Sequence, residues 1–161
     1  MIVDDLSLAE ELRDRELKLD LISLTVHEFH RVPTYSFRIG HAETDVELGG
    51  IRLRIGSTPH VSLYASHIGY DVHTAHRGHH YAARSVRLLL PLVSRHGLDL
   101  IWITCDPENV ASRRAIELAG GEFVEIIDVS PDCGIFKSGH PRKCRYRLAS
   151  TLEPKPGMTR I

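Results

Sequence analysis

The stretch from Ser66 to Ala82 carries the densest set of chemically active side chains in the sequence. It is typical of a strand that runs into a short loop containing Arg77 and Gly78, after which a helix begins. The first turn of a helix has unpaired backbone N–H groups and a partial positive charge, so this junction offers a site for an anion. The small residues Gly78 and Ala82 leave the backbone accessible, as a diphosphate requires. On these residues alone, a plain strand-turn-helix connection remains the alternative.

Histidines cluster on this loop and raise a second alternative, a metal site. Imidazole is a common ligand for zinc and nickel, but the spacing matches no closed site and no paired cysteines complete one. The chain has 3 cysteines without a Cys-x-x-Cys pair, which is typical of reduced thiols in a cytoplasmic protein. We therefore expect no metal. The loop histidines are His73, His76, His79 and His80.

Two amphipathic helices are predicted after the loop. The first ends near Gly97, and Pro91 interrupts its pattern because proline removes a helical hydrogen bond. The second is capped by Asn109 and ends at Gly120. Apolar residues recur at helical spacing in both: Ala82, Val86, Leu89, Leu90 and Val93, and then Ala111, Ala115, Leu118 and Ala119.

Strands surround these helices. Apolar and polar residues alternate over residues 35–39 and 51–55, which predicts antiparallel strands with one buried face. The continuous apolar run at residues 100–104 predicts a strand buried on both faces. Further strands are predicted at residues 21–26, 123–129 and 144–148, and a charge-dense helix at residues 4–20. Residues 61–64 and 67–73 predict the next strand or a strand with an irregular lead-in. This mixture indicates an α/β (α+β) fold whose mostly antiparallel sheet is packed against helices.

Length and composition narrow the class of protein. A chain of 161 residues predicts one domain, residues 1–150, and the proline-containing tail, residues 151–161, is expected to be mobile. A net charge of −1 and a pI near 6.8 disfavour a nucleic-acid partner. The longest apolar run is too short to span a membrane, and the acidic start is unlike a secretory signal. We expect a cytoplasmic domain without a membrane partner.

Two motifs resemble the GNAT acetyltransferase superfamily, whose acetyl-coenzyme A loop reads Gln/Arg-x-x-Gly-x-Gly/Ala. Residues 77–82 match at Arg77 and Ala82, with His80 where the motif has its first glycine. Asn109 lies eleven residues before Gly120, the spacing of the family's coenzyme-binding Asn. The resemblance covers roughly residues 35–148. It implies a central sheet with helices on both faces and a splayed strand pair at the coenzyme site.

The resemblance also implies site residues, with acetyl-coenzyme A as the acyl donor. The backbone around Tyr70 and Val72 would bind the pantetheine arm, and Asn109 would bind the pantetheine or its carbonyl. The amides of residues 78–82 would hold the diphosphate. The implied coenzyme-binding residues are Val72, Arg77, Gly78, His79, His80, Tyr81, Ala82 and Asn109.

Two residues are candidates for proton transfer. The family often places a Glu two residues before a strand glycine, and His67 stands there in this chain. A neutral imidazole near pH 7 can accept a proton directly or through water, and a structural histidine held by the backbone is the alternative. The family's acid is often a Tyr seven residues after the Asn, a position occupied by Ile116. Tyr70 is therefore the first candidate to protonate the thiolate, and Tyr64, Cys105 and solvent are the alternatives.

The resemblance implies an N-acetyltransferase that moves an acetyl group to an amine by direct attack. The alternative is a non-catalytic acyl-coenzyme A sensor or interaction module, motivated by His80 and Ile116 at the two departures from the family pattern. The acceptor is expected to be a small-molecule or peptide amine of unspecified identity, and a homodimer is left open. Basic residues around 137–147 are more typical of a solvated strand face than of a nucleic-acid site.

Overall fold

The computed structural model describes residues 12–26 and 32–151, which form two antiparallel sheets with helices packed on them. Five strands of the first sheet lie in chain order, so each pairs with the next along the chain. These strands are β1 (Arg13–Asp14), β2 (Leu17–Val26), β3 (Pro33–His41), β4 (Glu47–Arg54) and β5 (Ile68–Val72).

The alternation of buried and less buried residues along β2 and β3 explains which predictions for this sheet are right and which are wrong. In β3, Tyr35, Phe37 and Ile39 are buried between less buried polar residues, as expected. The helix predicted at residues 4–20 is wrong over residues 13–14 and 17–20, which are strands, and residues 4–11 lie outside the described part of the chain. Leu17 and Leu19, two residues apart, are both buried. This alternation is the pattern of a strand, and it determines the structure of the segment in spite of its many charged residues.

The second sheet has three strands, with the last strand of the chain in the middle. These are β6 (Leu100–Cys105), β7 (Glu122–Asp128) and β8 (Arg142–Ala149), in the order β6-β8-β7. All three strands were expected from the sequence, but the prediction that β6 is buried on both faces is wrong, because Leu100 is 42% exposed. Side chains of both sheets share one core with the helices, and this core includes Ile51, Ile103 and Tyr146.

In the first of the helices most of the predicted apolar stripe is buried, whereas in the second the predicted stripe is wrong, because Leu118 is 55% exposed and Ile116 is buried instead. The helices are α1 (Tyr81–Arg95), α2 (Val110–Leu118) and the short α3 (Gly134–Lys137). In α1, Val86, Leu89 and Val93 are fully buried, and the helix continues through Pro91, whose ring is exposed. None of the helices in the described ranges has the length and apolarity that crossing a lipid bilayer requires.

A helical turn covers the other face of the second sheet. The strand predicted at residues 61–64 is wrong, because Val61–Ala65 forms a π-helical turn that ends where Ser66 reverses the chain at φ 83°. The Thr104 hydroxyl donates to the Tyr64 carbonyl at 2.7 Å. Thr104 points away from the core side occupied by its neighbours in β6. Helical segments therefore lie on both faces, as the fold class predicted.

The two sheets meet at one end of β5. The His67 N–H donates to the Trp102 carbonyl at 2.9 Å, and the Thr104 N–H donates to Ser66 Oγ at 3.2 Å. Beyond His67, β5 and β6 are not paired in either sheet. The resulting wedge, narrow at His67 and wide at Val72, is the splayed strand pair that the resemblance implied.

Candidate functional site

The open edge of β5 presents backbone groups to the wedge. The Arg54 N–H donates to the His67 carbonyl at 2.7 Å, and the His73 N–H donates to the Leu48 carbonyl at 2.8 Å, so these alternate residues of the segment bond to β4. Because successive residues of a strand point to opposite edges, the N–H and C=O groups of Tyr70 and Val72 face the wedge.

A cavity of about 1120 Å³ fills the wide end of the wedge. Its walls are the second half of β5, the loop after it, the first turn of α1 and one side of α2. Most of the predicted site residues are brought together here. Those lining the cavity are Tyr70, Val72, Arg77, Gly78, His80, Tyr81, Ala82 and Asn109.

The start of α1 forms one end of this cavity. The first helical backbone bond runs from the Arg84 N–H to the His80 carbonyl, so the N–H groups of Tyr81, Ala82 and Ala83 have no partner within the helix. His80 gives no side-chain cap to these groups. Gly78 has φ +96°, and a Cβ placed on it would meet nothing within 4 Å. This end therefore offers uncapped N–H groups and open space.

His80 keeps the backbone shape that a glycine would favour. Its φ of 60° and ψ of 28° lie in the left-handed region, which costs a non-glycine residue about 1 kcal/mol. The imidazole side chain lines the cavity. His79 does not line it, because its ring stacks on Tyr81 with centroids 5.1 Å apart. The substitution thus preserves the turn and adds a side chain to the site.

Arg77 and Asn109 tie the two walls of the cavity to their own elements. Arg77 Nε donates to the Val72 carbonyl at 3.1 Å, which fixes the loop against β5. Asn109 Oδ1 accepts from the Ser112 N–H at 3.0 Å, so Asn109 is both a helix N-cap and a cavity residue.

His67 is not brought into the cavity. It is fully buried at the narrow end of the wedge, its Nδ1 accepts from the Trp102 N–H at 2.9 Å, and its Nε2 lies 3.1 Å from Ser57 Oγ. Accepting at Nδ1 requires the neutral ring with its hydrogen on Nε2. Burial is the main cause that lowers the pKa of His67. This geometry is that of a structural histidine.

Tyr70 lines the cavity and reaches the first turn of α2. Its hydroxyl lies 2.9 Å from Ser112 Oγ and donates to the Ser112 carbonyl at 3.2 Å. Burial raises the pKa of Tyr70 to about 12, so the hydroxyl keeps its proton at neutral pH. Ile116, at the position of the family's Tyr, is fully buried in the core.

Several residues that line the cavity were not predicted as coenzyme-binding or catalytic residues from the sequence. Arg114, Ser112 and His76 line the cavity. The helical pattern of α2 contained a signal for the first two, because its small residues Ala111 and Ala115 mark the side of the helix that leaves room for a ligand. Across residues 12–26 and 32–151, no group of three or more His, Cys, Asp and Glu side chains has metal-site geometry.

The comparisons with known proteins concern the family and the fold. A family model described as an acetyltransferase (GNAT) domain matches residues 8–122. The acetyltransferase (GNAT family) from Bacillus anthracis is 19% identical, with 71% of this chain and 66% of that chain covered at a TM-score of 0.57. The ribosomal-protein-S5-alanine acetyltransferase from Vibrio fischeri is 12% identical, with 75% and 64% covered at a TM-score of 0.57.

A third solved structure contains ligands. The Microcin C7 self-immunity acetyltransferase MccE, in complex with acetyl-CoA and AMP, is 13% identical, with 72% of this chain and 61% of that chain covered at a TM-score of 0.56. At such identities these structures show a common fold. The chain covers slightly less than two thirds of the length of all three proteins. A search of curated protein sequences found no significant match.

Proposed function

Because the chain belongs to the acetyltransferase (GNAT) domain family, we propose that it transfers the acetyl group of acetyl-coenzyme A to an amine. The observation that carries this proposal is the wedge. Its cavity of about 1120 Å³ joins the open backbone edge of β5 to the uncapped N-terminus of α1. A long ligand with an amide-containing arm and a diphosphate matches both features.

The coenzyme's position follows from these two features. The diphosphate lies against the N–H groups of residues 78–83, where the partial charge of α1 favours an anion. Arg77 and Arg114, which both line the cavity, add positive charge for the phosphates. The pantetheine arm runs along β5 and bonds to the backbone of Tyr70 and Val72, with Asn109 on the opposite wall.

The reaction proceeds by direct attack of the amine on the thioester. The amine nitrogen forms a bond to the acetyl carbonyl carbon, the carbon–sulfur bond breaks, and its electron pair leaves on sulfur. The nitrogen loses one proton to solvent, and the thiolate takes one from Tyr70, which recovers it from solvent. Burial raises the pKa of Tyr70 to about 12, which keeps its hydroxyl protonated at neutral pH and makes it a weaker acid than an ordinary tyrosine.

His67 takes a different part in this proposal. With its ring buried and both nitrogens in hydrogen-bond contact, it positions β5 against β6 and leaves the amine proton to other groups. The acceptor class proposed for this chain is a small-molecule or peptide amine.

The test combines coenzyme binding with turnover. Titration calorimetry of the full chain with acetyl-coenzyme A is expected to show one site, and thiol release is expected with at least one member of an amine panel. Absence of binding would overturn the proposal. Binding without turnover of any amine would identify the chain as an acyl-coenzyme A-binding module instead.

A further inference from the structure

Two arginines meet on the face of the first sheet that is opposite the shared core. Arg52 and Arg54 alternate with buried residues of β4 and so point outward together. A Cβ placed on Gly69 of the neighbouring β5 would lie 3.7 Å from Arg52 Nη2 and 3.8 Å from Arg54 Nη1. Both guanidinium groups therefore border one small space, which exists because residue 69 has no side chain.

The positive charge at this space is only partly balanced, because Arg52 has a carboxylate partner in Asp71 and Arg54 has none in the described ranges. Arg54 Nη1 donates to the carbonyls of Ala65 and Ser66 at 3.0 Å and 2.8 Å, and its buried Nε has no partner in the described ranges. Across those ranges no carboxylate lies within 4.0 Å of Arg54. Burial and the charge of Arg52 lower the pKa of Arg54 to about 10, which leaves it cationic at neutral pH. Two adjacent cations around an open space favour an anionic ligand.

Asp71 lies next to this space and links it to the coenzyme cavity. Asp71 Oδ1 is 3.5 Å from Arg52 Nη1, a weak and half-exposed ion pair. Asp71 lines the coenzyme cavity and also a second cavity of about 210 Å³ on the outer face, which Arg52 and Gly50 line as well. Asp71 therefore borders both cavities, and its carboxylate is a group that accepts a hydrogen bond from an amine.

We propose that the acceptor is an amine that also carries a carboxylate, bound with its carboxylate between Arg52 and Arg54 over Gly69 and its amine beside Asp71. This inference rests on the proposed acetyl transfer and names its acceptor class. A planar carboxylate matches the fork of donors on a guanidinium. Gly69 and Asp71 are two residues apart on the same face, about 6.6 Å along the strand. A free dipeptide has an amine and a carboxylate at about this separation, whereas an α-amino acid is shorter.

Matched acceptors isolate the carboxylate. Acetylation of alanyl-alanine is compared with that of alanyl-alanine amide, which differs only in the charge of its end. The wild type is expected to favour the free dipeptide by about tenfold or more in kcat/KM, the value of one charged hydrogen-bonded contact. Arg52→Gln and Arg54→Gln are expected to bring this ratio close to one. Arg87→Gln, at an exposed arginine of α1 outside both cavities, is the matched control and keeps the wild-type ratio.

Calorimetry with acetyl-coenzyme A separates this inference from the function on which it rests. If the wild type does not bind acetyl-coenzyme A, the proposed function is overturned. Normal binding with equal acetylation of both dipeptides, or with acetylation of neither, would overturn the acceptor class. A preference that survives Arg52→Gln and Arg54→Gln would also overturn it. Arg52 is half-exposed, so its variant remains informative if Arg54→Gln fails to fold.

Discussion

The two ends of β5 differ in how they are built. At the narrow end, side chains of Ser66 and His67 bond to backbone groups of β6 more than thirty residues away in the chain. At the wide end, the stretch from Val72 to Ala83 supplies backbone N–H groups and small residues, and one side of α2 forms the facing wall. Long-range side-chain contacts join the two sheets at the narrow end and fix where the wedge starts. Local backbone geometry shapes the wide end, where we propose that acetyl-coenzyme A binds.

The largest expected effect comes from closing the wide end. Gly78→Glu places a negative side chain in the open space at the start of α1, and like charge beside the diphosphate is expected to weaken acetyl-coenzyme A binding by about a hundredfold or more. Titration calorimetry measures this loss.

A matched control removes the effect of backbone strain from that measurement. Gly139 has φ +95° and, like Gly78 at φ +96°, open space around its Cβ position. It does not line the cavity. Gly139→Glu is therefore expected to carry the same strain and bind normally. If the two folded variants bind acetyl-coenzyme A with equal affinity, the diphosphate does not bind at the Gly78 turn.

The next effect concerns the acid at the wide end. Tyr70→Phe is expected to lower kcat by roughly ten- to a hundredfold, since it removes a positioned proton donor, while the affinity for acetyl-coenzyme A stays unchanged. Tyr64→Phe, a tyrosine outside the cavity, serves as the control. Because the pKa of Tyr70 is about 12, the wild-type rate should not fall through its ionisation below about pH 10. A kcat equal to that of wild type would assign thiolate protonation to solvent.

At the narrow end, the expected effect is a loss of folding stability as the pH falls. The lowered pKa of His67 means that the unfolded chain, with its ordinary histidine pKa of 6.5, binds more protons below that pH. Its contribution is complete above pH 6.5 and is lost as the pH falls, by up to about 1.4 kcal/mol per pH unit. Thermal unfolding at pH 7 and pH 5 measures this loss.

A variant isolates His67 from the other histidines. The pKa values of His60 and His96 are also lowered by burial, so wild type is compared with His67→Gln, which is expected to be less stable at pH 7 and to lose less on acidification. Its turnover, per folded protein, should fall equally at all pH values. A turnover loss that shrinks as the pH approaches the pKa of the amine would make His67 the proton acceptor after all.

The smallest expected effect is at His80. Glycine adopts the left-handed backbone without penalty, so His80→Gly should raise the free energy of unfolding by about 1 kcal/mol and the melting temperature by about 2–4 °C. Acetyl-coenzyme A affinity should change by only a few fold. An unchanged or lower melting temperature would show that the imidazole makes a stabilising contact of its own.

The wide end was accessible from the sequence because its determinants are local. The apolar stripe of α1, the Asn109 cap and the glycine at position 78 each act within a few residues, and the structure places them as expected. The narrow end was not accessible. Whether His67 faces a ligand or a backbone amide depends on Trp102, thirty-five residues away, and no local pattern encodes that contact.

The same limit explains the errors in the elements. The charged residues of the segment ending at Asp20 suggested a helix, but Leu17 and Leu19 have a second strand and a core to pack against. Residues 61–64 have apolar character that suits a strand, yet the reversal at Ser66 and the Thr104 hydroxyl favour a helical turn. The arginine pair over Gly69 likewise requires the register of β4 against β5.

Because of the side-chain hydrogen bonds at the narrow end, hydrogen exchange at two backbone amides reports local opening of the structure. The N–H groups of Trp102 and Thr104 are held by His67 and Ser66, so their hydrogens exchange with deuterium only when the sheets part there or a side chain swings away. The amides of Ile101 and Ile103 point to the opposite edge of β6, where β8 pairs with it. The exchange rates of the Trp102 and Thr104 amides, compared with those of Ile101 and Ile103, report how often the two sheets separate at the narrow end. A ligand bound across the wide end should slow the exchange of Trp102 and Thr104 and leave that of Ile101 and Ile103 unchanged.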